Sequence, residues 1–362
     1  MMLSRFVQYL DILYSRHRHR APGSLPVLLL WVTDQCNLRC RMCGDQWRID
    51  LQHVRPLLTV AEIGRIVEGA RRLKTLVVSI TGGEPLLHPQ IIEILNLIAH
   101  AGISANLCTN GTLLTDDLVA RLAGTSLKSI SISLDSPNPG DHDRIRGREG
   151  AFQAAVSGIR RLRQAMPELT VNINCTVTRK NFRDLKEMIT LAAELGCAKI
   201  SFAPVHTNLQ HKEKPKELFE GMIFTPGELA ELTRELEEAA KLAAAVGIRT
   251  SSRPFMRGIP RLYADPSPRQ TCYAGYASCS ISPWGDVAPC VDMVSTLNVR
   301  DQPLDEIWRS VPFQGLREEV DRCASPCWDT TNAEIAIRFS PAGLFGALGS
   351  TWRDLRTYTG SR

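Results

Sequence analysis

No stretch of this sequence is apolar over the ~18 residues that a membrane-spanning helix needs. The first residues offer neither a long apolar h-region nor a small-residue cleavage site, which argues against secretion and for a cytoplasmic protein. Charge of one sign is also scarce. The 43 basic and 38 acidic residues leave a net +5, too little to point to nucleic acid. What remains is ordinary globular composition, 44% hydrophobic and 22% charged, in a chain of 362 residues that can build one large domain and a smaller one.

Cysteine, by contrast, is plentiful. Eleven cysteines in a chain without secretory features favour metal binding over disulfides. Three lie near the start and five between 272 and 327. Cys108, Cys175 and Cys197 sit in apolar surroundings and read as small buried residues. The first group, Cys36-Asn37-Leu38-Arg39-Cys40-Arg41-Met42-Cys43, directly follows the apolar run Val27 to Val32. Its spacings let three sulfurs point into one small volume. Three thiolates do not close a tetrahedral zinc site, and a zinc reading needs a fourth ligand, His53 being the nearest candidate. They do hold three corners of a cubane iron–sulfur cluster, leaving the fourth iron for a ligand from outside the protein.

From Val27 to Pro204 short apolar runs alternate with amphipathic stretches. Strands are expected at Val27–Val32, Leu76–Thr81, Ser104–Thr109, Ser129–Leu134, Thr170–Thr178 and Lys199–Pro204, with helices near 59–73, 88–100, 115–123, 150–165 and 181–195. Thr59 with Glu62 reads as a capping box. This order predicts an α/β fold: a parallel sheet curled into a partial (β/α)6 TIM-like barrel, with reactive groups at the C-terminal strand ends. Polar punctuation stands there. Thr81-Gly82-Gly83-Glu84-Pro85 follows the second strand, and its glycines let backbone approach a ligand while Glu84 accepts from an ammonium group. Thr109-Asn110-Gly111 ends the third strand and Ser133-Leu134-Asp135 the fourth, where Ser133 and Asp135 suit ribose hydroxyls. Asn172 and Asn174 alternate in the fifth strand and need partners, which a bound nucleoside would supply. The charged stretch Asp141 to Arg146 reads as a loop, either solvated or placing His142 or Arg146 over the barrel mouth.

Cys36-x3-Cys40-x2-Cys43, the Gly82-Gly83-Glu84-Pro85 turn and Ser133-Leu134-Asp135 together resemble the radical S-adenosylmethionine superfamily over about residues 25 to 205. The resemblance implies that Cys36, Cys40 and Cys43 hold a [4Fe-4S] cluster chelated by the amino and carboxylate groups of S-adenosylmethionine. Gly82, Gly83 and Glu84 would receive the methionine amino group, Ser133 and Asp135 the ribose, and Thr109, Asn110 and Asn174 would complete the cofactor pocket. Met42 stands where the family usually has an aromatic residue near the adenine. The implied activity is reductive cleavage to a 5′-deoxyadenosyl radical that takes hydrogen from a substrate C–H, under low oxygen, with electrons from a flavodoxin- or ferredoxin-type donor.

A second cysteine field begins at Cys272-Tyr273-Ala274-Gly275. Alternating runs around Pro283-Trp284-Gly285-Asp286 read as a β-hairpin that returns Cys290 toward Cys272, before a helix near 303–321 and then Cys323 and Cys327. Four thiols suffice for a closed cluster or for zinc. The stretch resembles the SPASM and twitch auxiliary-cluster extensions, and its cysteine count favours the shorter twitch type. That implies one auxiliary [4Fe-4S] cluster on Cys272, Cys290, Cys323 and Cys327, with Cys279 a possible substitute. Asp292 is a candidate base beside it.

The expected division is an N-terminal amphipathic basic segment (1–24), the barrel with linker and long helix (25–250), the auxiliary domain (251–330) and a tail (331–362). The first segment either docks on the body or rests on a membrane surface or anionic partner. Residues 205 to 224 read as a linker or lid, Gly247–Ser251 as a further strand, and Pro254 to Gln270 as a proline-rich connection. The main functional expectation is radical chemistry on an unidentified small molecule, sugar, lipid or carrier-bound group. The alternatives are a ribosomal-peptide maturase, disfavoured by the ~26 residues before the first strand, and a non-catalytic zinc or iron–sulfur scaffold.

Overall fold

A computed structural model describes residues 2–43, 55–206, 219, 221–265 and 270–340. His53, residues 207–218 and 220 of the linker or lid expected at 205–224, residues 266–269 of the connection and the tail beyond 340 lie outside them.

The alternation of short β-rich runs with amphipathic stretches resolves into one mixed sheet. Its parallel strands are β1 (Val27–Trp31), β2 (Val77–Thr81), β3 (Ser104–Thr109), β4 (Ser129–Ser133), β5 (Thr170–Val177) and β6 (Lys199–Pro204), hydrogen-bonded in sequence order. This is the expected TIM-like partial barrel. Between strands run α2 (Val60–Arg72), α3 (Ile91–His100), α4 (Asp116–Ala123), α5 (Pro139–Arg146), α6 (Ala151–Ala165) and α7 (Leu185–Glu194), preceded by α1 (Met2–His17). Thr59 caps α2 in the expected box with Glu62, a contact worth ~1 kcal/mol.

Strand alternation divides the sheet into two unlike faces. Leu28, Leu30, Val78, Ile80, Leu107, Ile130, Ile132, Val171, Ile173 and Ile200 share one core with Ile63, Ile66, Ile94, Ile98 and Ile159 of the covering helices. The alternate residues are polar and bond across strands. Ser129 and Ser131 hydroxyls donate to Asn106 Oδ1 at 2.9 and 3.2 Å, and Asn172 Nδ2 donates to Ser129 at 3.2 Å. Asn172 Oδ1 stays buried with no protein partner among the described residues.

Past β6 come α8 (Leu229–Val246) and α9 (Arg253–Ala264). The latter corrects the reading of a proline-rich connection. Ser252 caps it, Pro254 sits in the first turn where a missing N–H costs nothing, and Pro260 is accommodated farther along. The strand expected at 247–251 is only one bridge, Lys199 to Arg249.

The second cysteine field does not stand apart. β7 (Ser278–Ile281) pairs in parallel with β1, and the expected hairpin carries it into β8 (Val287–Ala288). The sheet thus runs on across the expected boundary at 250. The helix expected at 303–321 is two, α10 (Leu304–Arg309) and α11 (Val311–Asp321), broken where Ser310 ends one and caps the other. The last described element is α12 (Asn332–Phe339). Among the described residues, no helix is long and apolar enough to cross a membrane.

Candidate active site

The cysteine loop leaves β1 and is held from two sides. On one side the Thr81–Glu84 turn packs against it: Gly83 N donates to Thr33 O at 2.9 Å and Glu84 N to Gln35 O at 2.7 Å. A side chain on Gly83 would overlap the Gln35 carbonyl, so this glycine admits the cysteine loop itself. On the other side the C-terminal end of α5 offers its carbonyls, Arg39 N donating to Arg146 O and Arg41 N to Ile145 O at 3.3 and 3.0 Å. Gly147, at φ 68°, ends that helix in the left-handed region, and a Cβ there would strike the Arg39 carbonyl. Cys36 and Cys40 share a small apolar cluster with Leu38, Met42, Ile145, Val205 and Met222. Cys43 N closes the turn on Cys40 O at 3.0 Å, keeping the third thiol on the same loop.

Residues 139–146 therefore form a helix where sequence reading expected a charged loop. Its signals are present: Asn138 accepts from Gly140 N and Asp141 N, Pro139 opens the first turn and Gly147 closes the last. His142 and Arg146 face inward, not over the mouth. His142 Nδ1 accepts from Asp135 N at 3.2 Å, and burial lowers its pKa to about 4. Arg146 Nε lies 2.6 Å from Asp135 Oδ2, an ion pair held by charge and not by an aligned hydrogen bond. Arg146 Nη1 also reaches Cys40 Sγ at 3.8 Å. Burial raises the Cys40 pKa while the guanidinium pulls it back, so the cation favours the thiolate a metal requires.

Several expected cofactor contacts are committed to protein partners. Asp135 is fully buried, its second oxygen accepting from Thr176 N at 2.9 Å, so its carboxylate does not face ribose. Glu84 is buried too and accepts from Leu86 N, Thr109 Oγ1 and Asn110 N at 3.0, 2.6 and 2.7 Å. Burial pushes its pKa up against these three donors. It locks the turn to the end of β3. Asn110 Nδ2 donates to Asn37 Oδ1 at 2.8 Å, fastening that strand end to the cysteine loop. Met42 is buried beneath the loop. Ser133, the last residue of β4, and Asn174, within β5, are register partners, both half-buried.

In the second field, Cys272 feels the charge of Cys323, and Cys290 that of Cys272. Burial raises the thiol pKa of Cys272 to about 11 and that of Cys290 further. Cys279 is corrected out of this set. Strand alternation turns it into the main core, where it is fully buried in register with Leu28 and its pKa rises to about 12. Asp292 is not a lone base. His206, just past β6, meets it, and the two lie with Cys327 inside a 4.8 Å group, the one trio among the described residues close enough to share an ion. His206 falls in the stretch expected to be a linker or lid, and no local pattern distinguishes it.

A three-cysteine loop locked against a glycine turn, with an unpartnered buried acceptor on the polar sheet face, fits a cluster-bearing loop and its nucleoside. The radical SAM superfamily profile matches residues 32–192. The chain carries a radical SAM domain. Its second cysteine field matches the SPASM iron–sulfur cluster-binding domain over residues 272–329. This radical SAM enzyme therefore carries a [4Fe-4S] cluster with S-adenosylmethionine and auxiliary iron–sulfur binding. It is 28% identical over 309 residues to the AdoMet-dependent heme synthase of Methanosarcina barkeri, covering 82% of this chain and 86% of the relative. It is 29% identical over 309 residues to the PqqA peptide cyclase of Gluconobacter oxydans, covering 83% and 81%. In fold it is similar to Streptococcus suis SuiB bound to precursor peptide SuiA, with TM-score 0.65, 19% identity and coverage of 84% and 69%. It is also similar to anSMEcpe with bound AdoMet and a peptide, with TM-score 0.62, 18% identity and coverage of 83% and 84%.

Proposed function

We propose that this radical SAM enzyme oxidises a ribosomally made peptide, as a SPASM-type maturase, and that the second cysteine field takes the electron the substrate gives up. Cys36, Cys40 and Cys43 would hold the cluster that, with S-adenosylmethionine, supplies one-electron chemistry for hydrogen abstraction from an unactivated C–H. Arg146 sets the charge beside Cys40. Glu84, Asn110 and Asn37 fix the loop, and Ser133 and Asn174 would meet the nucleoside. Cys272, Cys290, Cys323 and Cys327 would hold the auxiliary cluster.

The observation that carries the reading is the His206–Asp292 contact, which joins the end of a barrel strand to the auxiliary loop, so that a substrate at the strand ends would lie beside the second cluster. The likeness to a peptide cyclase supports a peptide over the sugar, lipid or carrier-bound group first expected. The likeness to heme synthases favours a second reading, a tetrapyrrole. Incubation with candidate precursor peptides deuterated at side-chain carbons, and separately with deuterated tetrapyrroles, decides between them. Deuterium in 5′-deoxyadenosine from a peptide supports the proposal, and deuterium from a tetrapyrrole alone overturns it.

A further inference from the structure

α1 is apolar on two sides, and docking on the body uses only one. Ile12 is buried in a cluster with Tyr273, Tyr276, Ala277 and Ala336, and the Tyr9 ring stacks on Phe339 with centroids 4.4 Å apart. On the opposite side Phe6, Leu10 and Tyr14 recur every four residues with Val7 beside them, exposed by 58, 47, 52 and 56%. A helix that served only to cover the body would carry polar residues there.

The border of this stripe is basic in excess, although Arg16 and His19 pair with Asp321 and Arg20 lies 3.6 Å from Asp11. Arg16-His17-Arg18-His19-Arg20 follows directly, and residues 17–20 are exposed. Arg20 lies over the Tyr14 ring at 4.6 Å, at the edge of the stripe. Asp11 is the one acidic residue between 1 and 26, and its carboxylate accepts from Gly23 N at 2.7 Å and from Ser15 Oγ at 3.2 Å. A second copy of this chain would bring an equally basic border against this one. The C-terminal residues 341–362, with Arg353, Arg356 and Arg362 against Asp354, are basic as well. Charge complementarity therefore selects an anionic, apolar-backed surface.

We propose that the outer face of α1 and the basic segment after it seat the enzyme on an anionic lipid bilayer. The helix lies in the interfacial plane, Phe6, Leu10 and Tyr14 enter the acyl boundary, and Arg18 and Arg20 meet headgroup phosphates, while Arg16 stays turned to the body against Asp321. This does not depend on the substrate assignment.

Sedimentation of the full chain with vesicles of phosphatidylcholine alone, or mixed with phosphatidylglycerol, tests it. The expected result is pelleting with the phosphatidylglycerol vesicles that fades as salt is raised. Phe6→Glu with Leu10→Glu, both at exposed positions, should abolish pelleting with the melting temperature unchanged. Arg18→Gln and Arg20→Gln should each weaken partitioning about fivefold. Absence of pelleting at low salt overturns the proposal, as does parental binding by the Glu variant. So does a stripe variant that only turns a dimer into a monomer, or binding that appears only after residues 341–362 are removed.

Discussion

His206 Nε2 stands 2.8 and 2.9 Å from the two carboxylate oxygens of Asp292, so the residue just past the last barrel strand grips the loop that begins at Cys290. Both side chains are partly exposed, at 28 and 17%, and the pair contributes only ~1 kcal/mol to global stability. Its effect is local. His206→Ala should leave urea unfolding nearly unchanged while the iron retained after anaerobic reconstitution falls toward that of the first cluster alone. Iron analysis with spectra of the reduced protein checks this.

Cys279 and Cys290 are separated by the hairpin and have different fates. Cys279→Ala should keep all its iron and lose a little stability, because the thiol fills core space. Cys290→Ala should lose about four irons per chain. The same iron assay on both variants tests the ligand set.

The buried Arg146–Asp135 pair should be costly to break from one side. Replacing Arg146 with Met leaves a carboxylate fully buried without its cation, and the expected loss is ~3–5 kcal/mol in denaturant unfolding. A double variant with Asp135→Asn should recover part of it, since the orphaned charge is removed as well.

Acid should weaken the fold in two steps of known sign. Burial lowers the His142 pKa from 6.5 to about 4, so between those values the unfolded chain takes up a proton that the folded chain refuses. That contribution is complete above the unfolded value and is lost as pH falls toward 4. Arg300 bonding, with the Thr59 cap, lowers the Glu62 pKa from 4.5 to about 2, and its contribution disappears as pH falls through that lower range. Stability against pH for Glu62→Gln should lose the second step and keep the first.

Much of the barrel was legible because its signals are local. Apolar runs, caps and strand-end glycines are written within a few residues of where they act, and β3 and β6 run over the residues expected. The site was legible in residue type more than in role. Glu84, Asp135 and Asn110 are polar, near strand ends and buried, but whether each faces a ligand or a neighbouring turn depends on partners far along the chain. Density of charge hid the helix at 139–146, although Asn138, Pro139 and Gly147 marked both its ends. The pairing of β7 with β1, about 250 residues apart, leaves no local trace at all.

Radical chemistry in this protein depends on the loop of Cys36, Cys40 and Cys43 binding a cluster with an iron open to S-adenosylmethionine. Electron paramagnetic resonance of the anaerobically reconstituted, reduced protein with its auxiliary cysteines replaced by alanine tests this most directly. A [4Fe-4S] signal that changes when S-adenosylmethionine is added is the result predicted. A signal indifferent to S-adenosylmethionine, or no iron bound at that loop, would contradict it.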